Sequence, residues 1–223
     1  DGTFRFGVSS VQDITEHVRT REELQRAYEG AIDALVAALE SRDPYTAGHQ
    51  ERVAMLACAI AQKMGLSNTR VNTIRFAGIL HDIGKIRIPE AIINRPGKLL
   101  PLEREMIKIH PQIGYDLLKN IPFPWPIAEI VLQHHEKLDG SGYPRGLKEE
   151  DILREARILT VADVTEAESS HRPYRPTRGI ESALREILSH RGTLYDADAV
   201  DACRELFTKD NFHFGDKTGI RES

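Results

Sequence analysis

Between residues 46 and 207 the apolar residues of this chain recur at helical spacing, with no ladder of alternating residues to interrupt them. That periodicity predicts a mostly α architecture. Val53, Leu56, Ala57, Ile60 and Met64 share one face, and Gly65 ends that helix. Val71, Ile74, Ala77, Ile79 and Leu80 give a second helix, and residues 127–132, 152–164, 180–188 and 197–207 predict four more. Pro89, Pro96, Pro101, Pro111, Pro122, Pro124 and Pro126 punctuate the middle. One segment departs from this pattern. Thr3-Phe4-Arg5-Phe6-Gly7-Val8 alternates, and Asp13-Ile14-Thr15 follows as a helix N-cap candidate. A single strand cannot fold alone, so it is expected to be the remnant of a truncated domain or to pair with another chain. The residues after Thr208 read as a polar tail.

The chain has 223 residues, enough for one large or two small domains with a sizeable core. A net charge of -4 implies no general polyanion-binding surface, so no DNA partner is expected. A phosphate ligand would have to be met by a local cluster of Arg or Lys. Cys58 and Cys203 lie in helix-like apolar contexts, which predicts buried thiols in a reducing, cytoplasmic setting. No apolar run reaches about 18 residues, so no membrane span is expected. No signal peptide is visible, and a start at Asp1 without Met reads as a fragment of something longer.

Leu24, Tyr28, Ala31, Leu35 and Ala38 recur at spacings of four and three, flanked by Arg21, Glu22, Glu23 and Arg26. This is a seam of about two heptads. An amphipathic helix packed on its own domain would show a similar stripe. The charged first half favours a parallel homodimer contact.

Histidines and aspartates fall at helix ends or buried faces in five segments. His49 opens a helix, and His81 with Asp82 closes the next. His110 precedes Pro111 and is expected to be extended, just before a helix begins. His134 and His135 end an apolar helix. Asp163 lies inside an apolar helix, where an unpaired carboxylate would be costly. A lone residue of this kind is usually a cap or a surface group; seven in ordered segments point to a centre assembled by folding. Imidazole and carboxylate without thiolate favour a hydrolytic site for iron, manganese or another borderline metal over a structural zinc site. Seven ligands exceed the needs of one metal with an open position. Asp82, beside His81, is the natural bridge between two metals, which would activate water and clamp a phosphoryl group in line. Lys85, three residues after Asp82, could neutralise charge on that phosphorus. Arg172 and Arg175 fit phosphate geometry, and Tyr143 could stack on a base or cap the pocket.

Together these residues resemble the HD-GYP domains, a bacterial branch of the HD metal-dependent phosphohydrolases. The matching pieces run in unbroken order over about residues 30–207. They are Asp43-Pro44-Tyr45-Thr46-Ala47-Gly48-His49 with Arg52-Val53, then His81-Asp82-Ile83-Gly84-Lys85, then Pro96-Gly97-Lys98-Leu99, and Met106 with His110. His134-His135-Glu136-Lys137-Leu138-Asp139-Gly140-Ser141-Gly142-Tyr143-Pro144 follows, then Ala156-Arg157-Ile158, Val161-Ala162-Asp163 and Arg172-Pro173-Tyr174-Arg175.

The resemblance implies an all-α HD-type core, with an N-terminal signalling helix and a short N-terminal β segment. Its activity would be hydrolysis of cyclic di-GMP to pGpG or GMP with two divalent metal ions. His49, His81, Asp82 and Asp163 would hold one metal; Asp82, His110, His134 and His135 would hold the other. Lys85 would contact the scissile phosphate, and Tyr143, Arg172 and Arg175 the dinucleotide. Tyr45 stands where some members carry a carboxylate for a third metal, so two are expected. Glu166 stands where the family usually has Asp, and Glu168-Ser169-Ser170 replaces a Leu-Thr-Ser run; both bear on substrate preference and turnover. Cyclic GMP-AMP is the alternative substrate. A further alternative is a slow, metal-bound domain acting through partners such as GGDEF domains, which the family contacts through the Gly-Tyr-Pro loop.

A second resemblance lies at the N-terminus. Val11-Gln12-Asp13-Ile14-Thr15-Glu16, followed by Arg21-Glu22-Glu23-Leu24, is similar to the exit of a PAS sensor domain into a signalling helix. The expected organisation is a PAS-like strand remnant at 1–15, a signalling helix at 16–41, a catalytic domain at 42–208 and a tail at 209–223. The parent is expected to be a cytoplasmic or membrane-tethered sensor.

Overall fold

The computed structural model describes residues 14–42, 48–95, 97–170 and 179–214. The alternating segment at 3–8, Tyr45, Arg172 and Arg175 lie outside them. In chain order the α-helices are α1 (Thr15–Glu40), α2 (His49–Lys63), α3 (Asn68–Leu80), α4 (Glu90–Ile93), α5 (Pro101–Ile107), α6 (His110–Leu118), α7 (Ile127–Gln133), α8 (Arg154–Ser169), α9 (Gly179–Ser189) and α10 (Ala197–Thr208). A 3-10 turn, Ile83–Arg87, follows α3. Only isolated bridges, Asp139 to Lys148 and Arg191 to Tyr195, have β character among the described residues. The fold is all-α, as the periodicity predicts.

α2, α3 and α8 form the centre of the bundle, with α9 and α10 against α8 and with α6 against α7 and the 3-10 turn. Leu56, Ile60, Ile74, Ile127, Ile130, Ile158, Leu159 and Ile187 are fully buried between them. α2 ends as Gly65 requires: its N–H bonds Gln62 O at 2.9 Å and the Leu66 N–H bonds Ala61 O at 3.0 Å. This double bond satisfies the last carbonyls.

Three differences from the sequence reading have physical causes. α5 went unseen among the prolines, although Pro101 at its first turn and Glu103 mark its start; the Glu103 carboxylate accepts the Leu100 N–H at 2.8 Å. His110 is the first residue of α6, not an extended residue before it. Pro111 is tolerated in a first turn, where its missing N–H costs nothing. The region after Thr208 is not purely a polar tail: Phe212 and Phe214 pack on Phe207, with ring centroids 5.2 and 5.6 Å away.

α1 uses a different face from its heptad seam to meet the core. Ile32 and Val36 are 6% and 8% exposed, whereas Leu35 is 53% exposed. Ala31 and Ala38 are exposed as well. The side chains of Leu24 and Tyr28 lie outside the described set. The end of α1 is tied to the segments that follow. Glu40 accepts the Gly48 N–H at 2.8 Å, and Arg42 donates to the carbonyls of Ile86 and Ile88. Both cysteines are free and buried, and burial pushes each thiol up to about 12.

Candidate metal centre

Four helix ends and one buried helix face carry ligand-type side chains. His49 starts α2, His81 caps α3, His110 starts α6, His134 caps α7, and Asp163 sits on the buried face of α8. Two close approaches draw these ends together. A Cβ on Gly84 would lie 2.0 Å from the His110 carbonyl and 2.7 Å from Gly114 N. Only glycine lets the turn carrying Asp82 lie on the start of α6. A Cβ on Gly142 would lie 2.4 Å from Glu136 Cα, so the loop after His135 folds tightly over Glu136. That buried carboxylate accepts the Arg145 N–H at 2.7 Å and the Leu147 N–H at 3.0 Å. Glu136 thereby pins the loop bearing Tyr143, whose own N–H bonds His135 O at 3.2 Å.

The imidazoles are oriented from behind. Nδ1 of His81, His110 and His134 meets the carbonyls of Gly78, Ile107 and Val131 at 2.7, 2.8 and 2.6 Å. A carbonyl only accepts, so each Nδ1 carries the proton and each Nε2 presents its lone pair. His49 Nδ1 is oriented instead by the Glu166 carboxylate, which also accepts from Arg52 Nε and Ser170 Oγ, each at 2.6 Å. Glu166 lies one turn beyond Asp163 on the same helix face. Its place is therefore behind a ligand. The three-residue spacing from Asp163 was the available signal.

The free nitrogens converge on two carboxylates. His49 Nε2 is 3.3 Å from Asp163 Oδ1 and 4.0 Å from Asp82 Oδ2. His81 Nε2 is 3.5 Å from Asp82 Oδ2 and 3.9 Å from Asp163 Oδ1. The other Asp82 oxygen, Oδ1, is 3.2 Å from His110 Nε2, and His110 Nε2 is 3.3 Å from His134 Nε2. His135 joins His110 and His134 with ligand atoms within 4.8 Å of one another, as do His49, His81 and Asp163. Thus the two oxygens of Asp82 face different imidazole sets. Lys85 Nζ closes on Asp82 Oδ2 at 2.6 Å. Tyr143 packs against His135 with centroids 4.7 Å apart and the rings tilted by 31°, and Lys108 Nζ lies 5.8 Å from the Tyr143 ring centre.

The donor set fits divalent cations. His81 Nε2 is buried without a hydrogen-bond partner, and its lone pair faces carboxylate oxygens. The His110 and His134 lone pairs face each other. A cation between them relieves both repulsions; a structural apolar core would not assemble them. Burial, reinforced by His81 and His110, pulls His134 down to about 3; burial also lowers His81 and His135. These three are neutral near pH 7 and ready to ligate. His49 behaves oppositely. Burial opposes its charge, but hydrogen bonds to Asp163 and Glu166 outweigh that and raise it to about 9. Burial likewise opposes ionisation of Asp82, yet Lys85, His81 and His110 hold it well below the usual carboxylate range.

One consequence is measurable. At pH 7 the metal-free site holds a proton on His49, and a metal at its Nε2 must expel it. Metal uptake at pH 7 is expected to release about one proton, and affinity should rise as pH approaches 9. Calorimetry in two buffers of different ionisation enthalpy reads this directly. Uptake without proton release would leave His49 outside the ligand set.

The sequence reading thus selected His49, His81, Asp82, His110, His134, His135, Asp163, Lys85 and Tyr143, and the fold gathers all nine. Glu166, Arg52, Glu136 and the three backbone carbonyls were not assigned parts in the site. Neither was Lys137, which is half-buried beside Tyr195, its Nζ 4.4 Å from the ring centre. Burial pulls its ammonium down to about 8, against the attraction of Asp163, Glu186 and Asp139.

A helical bundle whose inward ends present imidazole and carboxylate ligands without thiolate is a divalent-metal-binding domain. The family model described as HD domain matches residues 33–199. The chain belongs to the HD domain family, in its HD-GYP branch. It is 45% identical over 194 residues to a cyclic di-GMP phosphodiesterase of Thermotoga maritima, covering 84% of this chain and 53% of that protein. It is 42% identical over 197 residues to the cyclic di-GMP phosphodiesterase response regulator RpfG of Xanthomonas campestris pv. campestris, covering 87% of this chain and 50% of that protein. Among solved structures, a cyclic GMP-AMP-specific phosphodiesterase of V. cholerae matches with TM-score 0.52 and 30% identity, over 82% of this chain and 42% of that one. The chain spans about half the length of the curated relatives it matches. No described helix is long and apolar enough to cross a membrane.

Proposed function

We propose that this domain is a binuclear metal phosphodiesterase that hydrolyses cyclic di-GMP to pGpG or GMP. The observation that carries the reading is Asp82, whose Oδ1 and Oδ2 face separate imidazole sets. One metal would be held by His49, His81, Asp82 and Asp163, the second by Asp82, His110, His134 and His135. Iron or manganese suits this nitrogen and oxygen set. Bound there, the metals would supply Lewis acidity toward a phosphoryl oxygen and toward water.

The chain's own residues supply the rest. Lys85, held at Asp82, is placed to offset negative charge on the scissile phosphate. Tyr143 packs against His135 and offers an aromatic edge to a base. Arg172 and Arg175 are assigned to the dinucleotide by the family motif. Glu166 and the carbonyls behind the other imidazoles keep each Nε2 turned inward. The likeness to a cyclic GMP-AMP-specific enzyme supports that dinucleotide as the alternative substrate. Turnover of both dinucleotides by the metal-loaded protein, with metal and product analysis on the same sample, tests the reading. Absence of turnover with two metals bound would replace it with a domain acting through protein contacts, such as GGDEF domains at the Gly-Tyr-Pro loop.

The seam of α1, exposed at Ala31, Leu35 and Ala38, is assigned to a second copy of this chain, in a cytoplasmic sensor whose signal enters through residues 16–41. Glu40 and Arg42 would pass a helix rotation to Gly48, next to His49, and to the turn carrying Lys85. Leu24→Lys with Leu35→Lys should dissociate the dimer by light scattering, alter turnover and leave the metals bound. Leu35 is 53% exposed, so the substitution should cost the domain itself no more than about 0.5 kcal/mol. A doubly substituted protein that stays dimeric would move the contact elsewhere.

A further inference from the structure

Three hydrogen bonds fold the end of α8 back onto Glu166. The Ser170 N–H bonds the Glu166 carbonyl at 2.9 Å. Ser169 Oγ donates to the same carbonyl at 3.1 Å, and Ser170 Oγ donates to the Glu166 carboxylate at 2.6 Å. Ser170 is the C-cap, with φ -85° and ψ 151°, so the chain leaves the helix there in an extended direction. Its side chain is half-buried, and Arg172 follows two residues later in the chain.

The way Glu166 divides its oxygens links this exit to the metal centre. Oε2 meets His49 Nδ1, whereas Oε1 accepts from both Ser170 Oγ and Arg52 Nε. Arg52 comes from the first turn of α2, three residues after His49. Its guanidinium lies over Gly48, where a Cβ would come within 2.9 Å of Nη1. All three partners of Glu166 are donors. An ionised carboxylate, with acceptor sites on both oxygens and no donor of its own, satisfies them together, whereas an amide could serve only one side. Glu166 is 1% exposed, which leaves water little access to replace a lost partner. A metal at His49 Nε2 would fix the ring, hold its Nδ1–H on Oε2 and so keep Oε1 turned toward Ser170. One buried carboxylate thus shares its geometry between a metal ligand at the start of α2 and the exit of α8.

We propose that Ser170 is a positioning residue that acts on the metal at His49 through Glu166, so that metal binding and the hydrogen-bonded state of the α8 exit are coupled. The consequence for the reaction rests on the phosphodiesterase reading. Arg172 and Arg175, assigned there to the dinucleotide, follow an exit whose geometry is set by the filled centre. The coupling is reciprocal by linkage: whatever fixes the exit also tightens the metal.

The test uses the full chain with Mn(II) alone as the probe. Amide hydrogen exchange over residues 166–170 should slow when Mn(II) binds the parent, and Ser170→Ala should lose most of that slowing. By calorimetry Ser170→Ala should bind one of its two Mn(II) ions about tenfold more weakly and the other unchanged. Ser170→Thr keeps the hydroxyl and should restore both properties. Glu166→Gln should show the same one-ion loss at about 10–100-fold. With Mn(II) saturating, Ser170→Ala should raise KM for cyclic di-GMP and leave kcat within about threefold. Exchange that Mn(II) leaves unchanged in the parent, or Mn(II) affinity unaltered in Ser170→Ala, would overturn the proposal. So would equal weakening of both ions, because Ser170 would then be a general support of the bundle. A parent that shows the Ser170-dependent slowing, yet hydrolyses no cyclic dinucleotide, would sink the phosphodiesterase reading and leave the coupling standing.

Discussion

Asp82→Ala should empty both metal positions at once, whereas loss of any single imidazole should deplete one more than the other. Oδ2 of Asp82 lies near His49 and His81, 4.0 and 3.5 Å from their Nε2 atoms, and Oδ1 lies 3.2 Å from His110 Nε2. Removing the side chain takes a negatively charged donor from each set. It also strands Lys85, whose ammonium loses its 2.6 Å partner. Metal content by elemental analysis should fall from about two per chain to well below one. Turnover should fall by about a thousandfold or more, since the lost metal chemistry is worth several kcal/mol and each 1.36 kcal/mol is tenfold. Asp82→Asn separates charge from shape. Its amide oxygen can still serve one side, so it should keep some metal at one position and lose the other. Retention of two metals by Asp82→Ala would show that the carboxylate bridges nothing.

Gly84→Ala is expected to do comparable damage with a single methyl group and no change in ligand chemistry. The new Cβ would fall 2.0 Å from the His110 carbonyl and 2.7 Å from Gly114 N, and both are backbone atoms that cannot rotate away. Overpacking a well-filled core costs 1–3 kcal/mol, and a clash with backbone on both sides belongs at or above about 3 kcal/mol. For a domain of this length that corresponds to a melting temperature lowered by roughly 6–12 °C. The larger consequence is local. The turn must move off the start of α6, which separates Asp82 from His110 and opens the His110, His134, His135 set. The metal held there should be lost first, with His49, His81 and Asp163 less affected. Gly30→Ala is the matched control, because nothing lies within 4 Å of a Cβ at that position. It sits in α1 and should be neutral or stabilising by up to about 1 kcal/mol. A Gly84→Ala protein with the melting temperature and metal content of the parent would mean that the turn and α6 are not in register-critical contact.

The two substitutions mark different kinds of legibility. Asp82 was readable from its neighbours in sequence, because carboxylate beside imidazole at a helix end is a donor pattern regardless of what surrounds it. Gly84 stood in the same motif without an assigned reason, since the backbone it must avoid is 26 residues away in the chain, at His110. Glu166 makes the same point from the other side. As one residue replacing another, it read as a change near the substrate. In the fold its carboxylate stands behind His49 and fixes which nitrogen faces inward. The seam of α1 was legible as a stripe of apolar residues, but not as a face left open. Ile32, Val36 and Leu39, one residue away at each step, are the positions that meet the core.

By itself the sequence determined the helical class, the ligand types and the order in which they occur, because periodicity and residue chemistry are local properties that survive in one dimension. It also determined that the histidine ligands sit at helix ends, since caps and prolines mark those ends wherever the helices go. Only the tertiary structure decided that the two oxygens of Asp82 look toward different imidazoles, that Glu166 orients His49, that Lys137 lies on the Tyr195 ring and that Ala31, Leu35 and Ala38 of α1 stay exposed. Each of these depends on the distance between elements far apart in the chain. That distance is set by how side chains and bare glycine backbone pack between helices, which a helical period does not encode.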